Sequence, residues 1–380
     1  MAVRFLHISK DDKFFDSTIR TFKADIRLAN SAVIVKGDNN IQLQYVNETE
    51  NVLVLDIKKL RPIIKKGVYD VIFFHSISEE MWKVLNWIPK TKVIIWWAWG
   101  YDLYLSRIPF FKPLINIPLY KHFTKQYKDF FTEKKAISLP KKFTTFLIAI
   151  YYNYCRKKNL KRIDYFIPVI HSEYEILAER TDFIAKELYL NFSVPKNKVF
   201  EYNHNIDSKK VLIGNSAFPT NNHIDIWRKM KDIAVIGKQI ILPLNYGYPE
   251  YRDFLEHQIV SDTNEITILR DFLPVKDYMD LLGSCAFAVF GIIRQQAMGN
   301  IFGCLWRGIK VFLYEDSLVY KYLKKEGFIV YSIDSMTEND FVKPLSYEEA
   351  RHNFETLIKV RIRQQELYNR VISEISEHYE

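Results

Sequence analysis

Cysteine, glycine and proline are all scarce in this chain. Its 380 residues hold three cysteines (Cys155, Cys285 and Cys304), 12 glycines and 13 prolines. Three cysteines with no CxxC pair exclude a disulfide framework and a thiolate metal site. Cys285 and Cys304 stand in apolar stretches and read as small core residues. So little glycine and proline excludes collagen-like and low-complexity chains. Long apolar runs are missing too. A membrane span needs roughly 18–20 such residues, and the longest candidates, Val93–Trp99 and Phe143–Tyr152, fall short. The first residues carry one Arg, a short strand-like run and then charges, which is not a signal-peptide pattern. The expectation is a soluble or peripheral protein of the cytoplasm.

Common site motifs are absent as well. There is no GxGxxG or GxG, no DxD, no HExxH and no GxSxG, and Gly237-Lys238 is followed by Gln239, which breaks a Walker A pattern. The chain also lacks a zinc finger, an RNP signature and a helix-turn-helix pattern, so a nucleic-acid partner is not expected.

What remains is an ordinary globular composition: 48% apolar, 15% aromatic and 26% charged. That aromatic content excludes disorder as the main theme. The length suggests two domains, perhaps three, at roughly 100–200 residues each. The net charge is +9 and is concentrated locally. Leu105–Ile163 holds fourteen Lys or Arg against two acids, Asp129 and Glu133. The same window is rich in Phe, Tyr, Ile and Leu, and Pro109, Pro113 and Pro118 keep its first part from being one long helix. Greasy residues flanked by bases suit an anionic membrane surface. The plainer alternative is a buried helix with a solvated basic rim.

Apolar periodicity alternates strand and helix along the chain. Strands are predicted at Val3–Ile8, Ala32–Lys36, Val52–Leu55, Val71–His75, Lys92–Trp97 and Tyr165–Val169. Helices are predicted at Lys13–Asn30, Ser78–Trp87 and Ser172–Lys186. After the polar stretch Asn203–Lys210 the alternation restarts at Val211–Ile213 and runs to a strand at Phe328–Tyr331 and a closing helix at Tyr347–Ser376. Two such runs predict an α/β fold of two doubly wound parallel-sheet domains. The expected division is residues 1–205, 206–345 and a closing helix over 346–380. Ligands in that architecture sit at the carboxyl ends of strands, which here points to a cleft between the domains. Without nucleotide motifs or a metal-binding DxD, the analogy is to the GT-B arrangement of metal-independent glycosyltransferases.

Four segments sharpen that analogy: Trp96–Tyr104 (WWAWGYDLY), Val211–His223 (VLIGNSAFPTNNH), Ile241–Pro249 (ILPLNYGYP) and Phe290–Gly303 (FGIIRQQAMGNIFG). In this order the chain resembles glycosyltransferase family 56, the 4-acetamido-4,6-dideoxygalactosyltransferases of enterobacterial common antigen synthesis. The resemblance runs from His7 to about Tyr322 and is dense at these segments. It implies a GT-B enzyme without cofactor or metal. Its donor would be a dTDP-linked amino-dideoxy sugar, and its acceptor a saccharide on undecaprenyl diphosphate. The enzyme would lie peripherally on the cytoplasmic face of the bacterial inner membrane. The chain departs from the family pattern at Ala217-Phe218-Pro219 and at Ala297-Met298, positions that bear on the donor sugar.

Candidate residues follow. Gly214, Asn215 and Ser216 come just after a strand, where glycine lets backbone N–H groups approach a phosphate. Arg294, Gln295 and Gln296 lie between a strand and a helix, where a guanidinium fork and a helix N-terminus favour a diphosphate. Tyr246, Tyr248 and His223 are candidates for base or sugar contacts. By analogy with GT-B enzymes, Phe272 and Leu273 would meet the nucleobase, and Glu315 or Asp316 the ribose. Asn222 either faces the ligand or caps a helix. In the first domain His7 (with Asp11 and Asp12 just beyond), His75 and Asp102 end strands and are candidates to take the acceptor hydroxyl's proton. Trp96, Trp97 and Trp99 offer a sugar-stacking surface or core packing. Two other classes stay open: a GT-B-shaped nucleotide-sugar epimerase or hydrolase, and a non-enzymatic scaffold at a membrane.

Overall fold

The computed structural model describes residues 2–10, 15, 19, 22–35, 46, 52–106, 108–131, 139–190, 200, 207–259 and 264–379. Asp11 and Asp12 lie outside them. The chain divides into two compact units. The first comprises Met1–Asn116, Ile137–Asn191 and Gln364–Glu380; the second comprises Ile117–Ala136 and Phe192–Arg363.

The first unit is built on a seven-stranded sheet: β1 (Val3–Ser9), β2 (Leu28–Val35), β3 (Val52–Leu55), β4 (Val71–His75), β5 (Val93–Trp97), β6 (Tyr165–Ile167) and β7 (Lys186–Glu187). Their order is β3-β2-β1-β4-β5-β6-β7, and every neighbour pair is parallel. The second unit has six strands: β8 (Asp207–Ile213), β9 (Gln239–Pro243), β10 (Glu265–Leu269), β11 (Cys285–Phe290), β12 (Lys310–Leu313) and β13 (Tyr331–Ser332). Their order is β10-β9-β8-β11-β12-β13, again parallel throughout. The central strands read as unbroken apolar runs because helices cover both faces of a parallel sheet. All five residues of β4 and all six of β11 are buried. The expected pair of doubly wound parallel sheets is what forms.

The helices are α1 (Ile57–Lys65), α2 (Tyr101–Tyr104), α3 (His122–Phe131), α4 (Leu139–Asn159), α5 (His171–Ala178), α6 (His223–Asp232), α7 (Pro249–Gln258), α8 (Val275–Ser284), α9 (Met298–Trp306), α10 (Leu318–Lys325) and α11 (Tyr347–Tyr379). The long α11 opens on a capping box. Glu349 N–H donates to Ser346 Oγ (3.2 Å), and the Glu349 carboxylate accepts from Ser346 N–H (2.8 Å).

Several boundaries differ from the sequence reading, each for a local reason. The helix predicted over Lys13–Asn30 cannot reach Asn30, because β2 begins at Leu28. Its period leaned on Ile26, which is 95% exposed. The helix over Ser78–Trp87 is instead a 3-10 run, Glu79–Trp87, and Ser78 makes no cap bond. Unpredicted α1 is capped by Asp56, whose carboxylate accepts from Lys58 N–H at 2.8 Å. β8 starts four residues earlier than read, taking in Asp207–Lys210. The last strand falls at Tyr331–Ser332 instead of Phe328–Tyr331.

The basic window is divided between the units. Ile117–Ala136, including α3, groups with the second unit. A helix start leaves its first N–H groups without intrahelical partners, and α6 supplies them in trans. The Asp225 carboxylate accepts from Phe123 N–H and Thr124 N–H, both at 2.8 Å. Lys121 N–H donates to Asn222 Oδ1 at 2.8 Å. Arg228 stacks over the Phe123 ring at 4.1 Å.

Replacing Asp225 with alanine is expected to destabilise the protein by about 1–3 kcal/mol, the range for losing a cap and orphaning buried donors. Denaturant unfolding of parent and variant measures this. A change under about 0.5 kcal/mol would show that α3 is not held by this carboxylate.

Candidate active site

In each sheet the strand order reverses beside its first strand, between β1 and β4 and between β8 and β11. Such switch points open crevices at the carboxyl ends of the strands. Gly214–Ser216 follows β8, and Gly291–Gln296 follows β11, so these motifs flank the second unit's switch point.

The residues here are knitted together. Gly214 has φ +69° and donates its N–H to Val289 O at 2.9 Å. A Cβ at this position would lie 2.4 Å from His223 Nε2. Asn221 Nδ2 donates to the carbonyl and the hydroxyl of Ser216, each at 3.0 Å. Ala217 N–H donates to Tyr246 O (2.7 Å), and Tyr248 N–H returns a bond to Ala217 O (3.0 Å). That close pairing requires glycine at 247, where φ is +122° and a Cβ would sit 2.5 Å from the Ala217 carbonyl carbon. The loops after β8 and β9 are therefore zipped side by side.

A row of side-chain hydrogen bonds then crosses the loop ends. Thr220 Oγ1 donates to Gln296 Oε1 (2.7 Å), Gln296 Nε2 to Asn215 Oδ1 (3.4 Å), and Asn215 Nδ2 to Tyr246 OH (2.6 Å). Tyr246 stacks with Phe272, centroids 6.0 Å apart at 20°. Phe218 packs edge-on against both Tyr246 and Tyr248. Burial raises the Tyr246 phenol above its ordinary value, while the nearby Arg294 charge works the other way. Arg294 Nη1 donates to Gln295 O at 2.7 Å. Asn215, Ser216, Gln296, Tyr246, Phe272 and Arg294 thus come together as one surface. None of them is an acid, and amides, hydroxyls and a guanidinium suit an anionic ligand.

His223 is fully buried and contacts Tyr251 OH through Nδ1 at 3.3 Å. Desolvation lowers it to about 3, so the ring stays neutral. Its Nε2 faces Gly214 and, like Asn221 Oδ1 and Gln295 Oε1, has no hydrogen-bond partner among the described residues. Tyr248, Phe272 and Leu273 are exposed at the rim. Asp316 pairs with Lys121 Nζ at 2.8 Å, and Glu315 N–H is fixed by Asp334 Oδ2 at 2.9 Å.

The first unit's candidates form a different environment. His7 Nδ1 and His75 Nε2 are 3.1 Å apart, and His7 Nε2 meets Asn30 Oδ1 at 3.0 Å. Both rings are buried among Phe22, Phe73 and Trp97. Desolvation pushes His7 down to about 4 and His75 well below its ordinary value. As placed, His7 has no ring nitrogen left for a substrate proton. Asp102 accepts from Trp96 Nε1 (2.8 Å), Ile77 N–H (3.1 Å) and Trp99 N–H (3.0 Å). Burial lifts its carboxyl to about 6 against those bonds. Trp96 and Trp97 are core residues, and Trp99 is half-buried beside Trp97 at 4.5 Å.

Four positions escaped the sequence reading. Thr220 and Asn221 hold the loops after β8 and β11, and Asp225 caps α3. Glu173 accepts from Tyr104 OH and Val169 N–H, each at 2.9 Å; burial lifts it to about 7. A readable signal existed in Thr220-Asn221-Asn222-His223, four polar residues directly after a strand and loop, all of them buried.

Residues 173–357 match the family model described as 4-alpha-L-fucosyltransferase, glycosyl transferase group 56. Together with the two parallel-sheet units, that match decides the class. This chain is a GT-B glycosyltransferase. Solved structures resemble it at the level of fold. A glycosyltransferase from Rickettsia africae ESF-5 superposes with a TM-score of 0.59 at 12% identity, covering 100% of this chain and 99% of that one. The alpha,alpha-trehalose 6-phosphate synthase of Burkholderia multivorans gives 0.60 at 8%, covering 99% and 97%. The GtfA/B complex gives 0.54 at 10%; 84% of the glycosyltransferase is covered, and it spans 60% of that longer chain.

Two outcomes are expected. Gly214→Ala in the glycosyltransferase should cost about 1–3 kcal/mol through backbone strain and the clash with His223, read by thermal unfolding; a neutral effect would mean that the loop relaxes freely. The Glu173 carboxyl is raised from 4.5 to about 7, so its contribution is full below the ordinary value and is lost as pH rises through 7. Glu173→Gln should therefore gain stability relative to the parent between those pH values. A parent-to-variant difference that stays flat with pH would contradict the shift.

Proposed function

We propose that this glycosyltransferase moves a 4-acetamido-4,6-dideoxygalactosyl or closely similar group from dTDP to a saccharide carried on polyprenyl diphosphate in bacterial surface-polysaccharide synthesis. The observation that carries the reading is the hydrogen-bonded row Thr220–Gln296–Asn215–Tyr246 beside Arg294 at the β8/β11 switch point. Its chemistry suits a nucleoside diphosphate, with the rim aromatic Phe272 as a stacking face for the base. The family model's name refers to fucose, a 6-deoxygalactose. The aminated sugar proposed here shares that skeleton.

In the transfer, the acceptor hydroxyl oxygen bonds to the sugar's anomeric carbon. The bond from that carbon to the diphosphate oxygen breaks, and dTDP leaves with the electron pair. The hydroxyl proton passes to a base or to water. Negative charge grows on the leaving diphosphate, and donors fixed in advance stabilise it most effectively. Arg294 and the N–H groups of Asn215 and Ser216 take that role, the Gly214 N–H being held by Val289 O, with the first turn of α9 adding partial positive charge. Asp102 is the first unit's candidate proton acceptor, and its raised value near 6 leaves it ionised at neutral pH.

The test is a calorimetric titration of the full chain with dTDP, UDP and GDP in EDTA. Selective dTDP binding is expected. Arg294→Ala should weaken it by about 10–100-fold without lowering the melting temperature. A folded protein that binds none of the three, or an Arg294→Ala enzyme with full transferase activity, would overturn the assignment.

A further inference from the structure

The helix α4 presents its apolar side outward. Phe143, Phe146, Leu147, Ile150, Tyr151 and Tyr154 repeat at three- and four-residue steps, so they form one stripe. All are exposed, Phe143 to 64% and Tyr154 to 61%. The opposite side is the packed one. Ala149 and Cys155 are buried, and Asn159 Nδ2 donates to Trp82 O (3.2 Å) and Asn86 Oδ1 (3.1 Å) on the 3-10 run Glu79–Trp87. The stripe is extended by Phe110, which is exposed and meets the Phe146 ring edge-on at 5.5 Å. At 100° per residue, Lys157 and Lys158 continue the same side beyond Tyr154, Lys161 follows on the 3-10 turn Leu160–Arg162, and all three are exposed. Arg156 is bound differently. It stacks on Phe111 at 4.2 Å and donates to Lys112 O at 2.6 Å, which braces the Phe110–Lys112 turn against α4.

We propose that this stripe is the surface by which the protein docks on an anionic lipid bilayer, lying along α4 with Phe110 and the stripe's aromatics in the headgroup region and the lysine end against lipid phosphates. An exposed apolar stripe on a soluble fold marks an interaction surface. The charge selects its occupant. The segment Leu139–Arg162, α4 and the turn after it, holds seven bases and no acid. A second copy docked on the stripe would bring two lysine clusters together, whereas an anionic surface neutralises them. Among the described residues no helix is long and apolar enough to cross a membrane, so the geometry is that of a helix lying on the surface. The inference stands apart from the donor assignment, since it uses none of the same residues.

The experiment uses the full chain carrying Leu147→Cys, labelled with an environment-sensitive fluorophore. The three native cysteines are buried, which leaves position 147 as the accessible thiol. Vesicles of phosphatidylcholine with a third phosphatidylglycerol are compared with phosphatidylcholine alone. A blue shift and co-sedimentation with the anionic vesicles, weakening as salt rises, is the expected result. The Phe146→Ser/Ile150→Ser/Tyr154→Ser variant should bind about tenfold more weakly or worse while melting like the parent and binding nucleotide like it. The proposal is overturned if that variant sediments as the parent does. It is equally overturned if the label stays in water while the protein sediments, if neutral vesicles bind as well, or if light scattering shows a dimer that the triple variant dissociates.

Discussion

Asn222 holds a left-handed backbone conformation, φ 52°, at the start of α6. Its buried side chain joins three stretches of the second unit. Oδ1 accepts from Lys121 N–H at 2.8 Å, and Nδ2 donates to Leu119 O (3.3 Å) and to Gly291 O (2.6 Å). A side chain without both donor and acceptor would leave buried backbone groups unpaired, a penalty larger than the net worth of any one bond. The rest of the site is arranged around this pin. It fixes Gly291 at the head of the Arg294 loop, and it sets the chain entering α3. The next residue, His223, covers Gly214, and the one before, Asn221, holds Ser216.

The candidate residues of the two units differ in how far they rely on charge, although His223 of the second unit is as enclosed as the first unit's groups. In the first, His7, His75, Asp102 and Glu173 are enclosed, and burial drives each toward its neutral form. Their bonds run to neighbours that shape the strand ends, as with the three donors gathered by Asp102. In the second, the loop ends carry amides and hydroxyls that need no charge to act, with Arg294 as the nearby cation. A surface of neutral donors keeps its hydrogen bonding across a wide pH range, whereas the enclosed groups respond to it.

Much of this architecture is legible in the residues. Unbroken apolar runs such as VIFFH and CAFAVF announce strands of a parallel sheet, and both are strands here. The segments quoted around Gly214, Tyr246 and Arg294 do converge at one switch point. Less legible was anything set by partners distant in sequence. Asp225 lies in the first turn of its own helix, yet it caps a helix about a hundred residues earlier. His7 and His75 read alike as strand-end bases, but parallel pairing of β1 with β4 turns them onto each other inside an aromatic core. Glu315 and Asp316 read alike as candidates for a ribose, and nothing in that stretch announces that Asp316 pairs with Lys121. Period alone also misled at Ile26, an apolar residue left in solvent beyond the turn.

Neither compact unit is a continuous stretch of chain. The backbone passes from one to the other four times, after Asn116, Ala136, Asn191 and Arg363. The final passage lies inside α11, whose later part completes the first unit: Arg27 Nη1 donates to Ser373 Oγ at 3.0 Å, and Tyr379 OH to Asp70 O at 2.8 Å. During synthesis, then, the strands of the first sheet have all been made by Glu187, while the α11 segment that completes their unit follows only after Arg363. The second unit's residues are all made before that segment, so the unit begun first is the last to be completed. A nascent chain in that interval carries a first unit still lacking its last helical segment, and transiently exposed apolar surface of that kind is what chaperones bind.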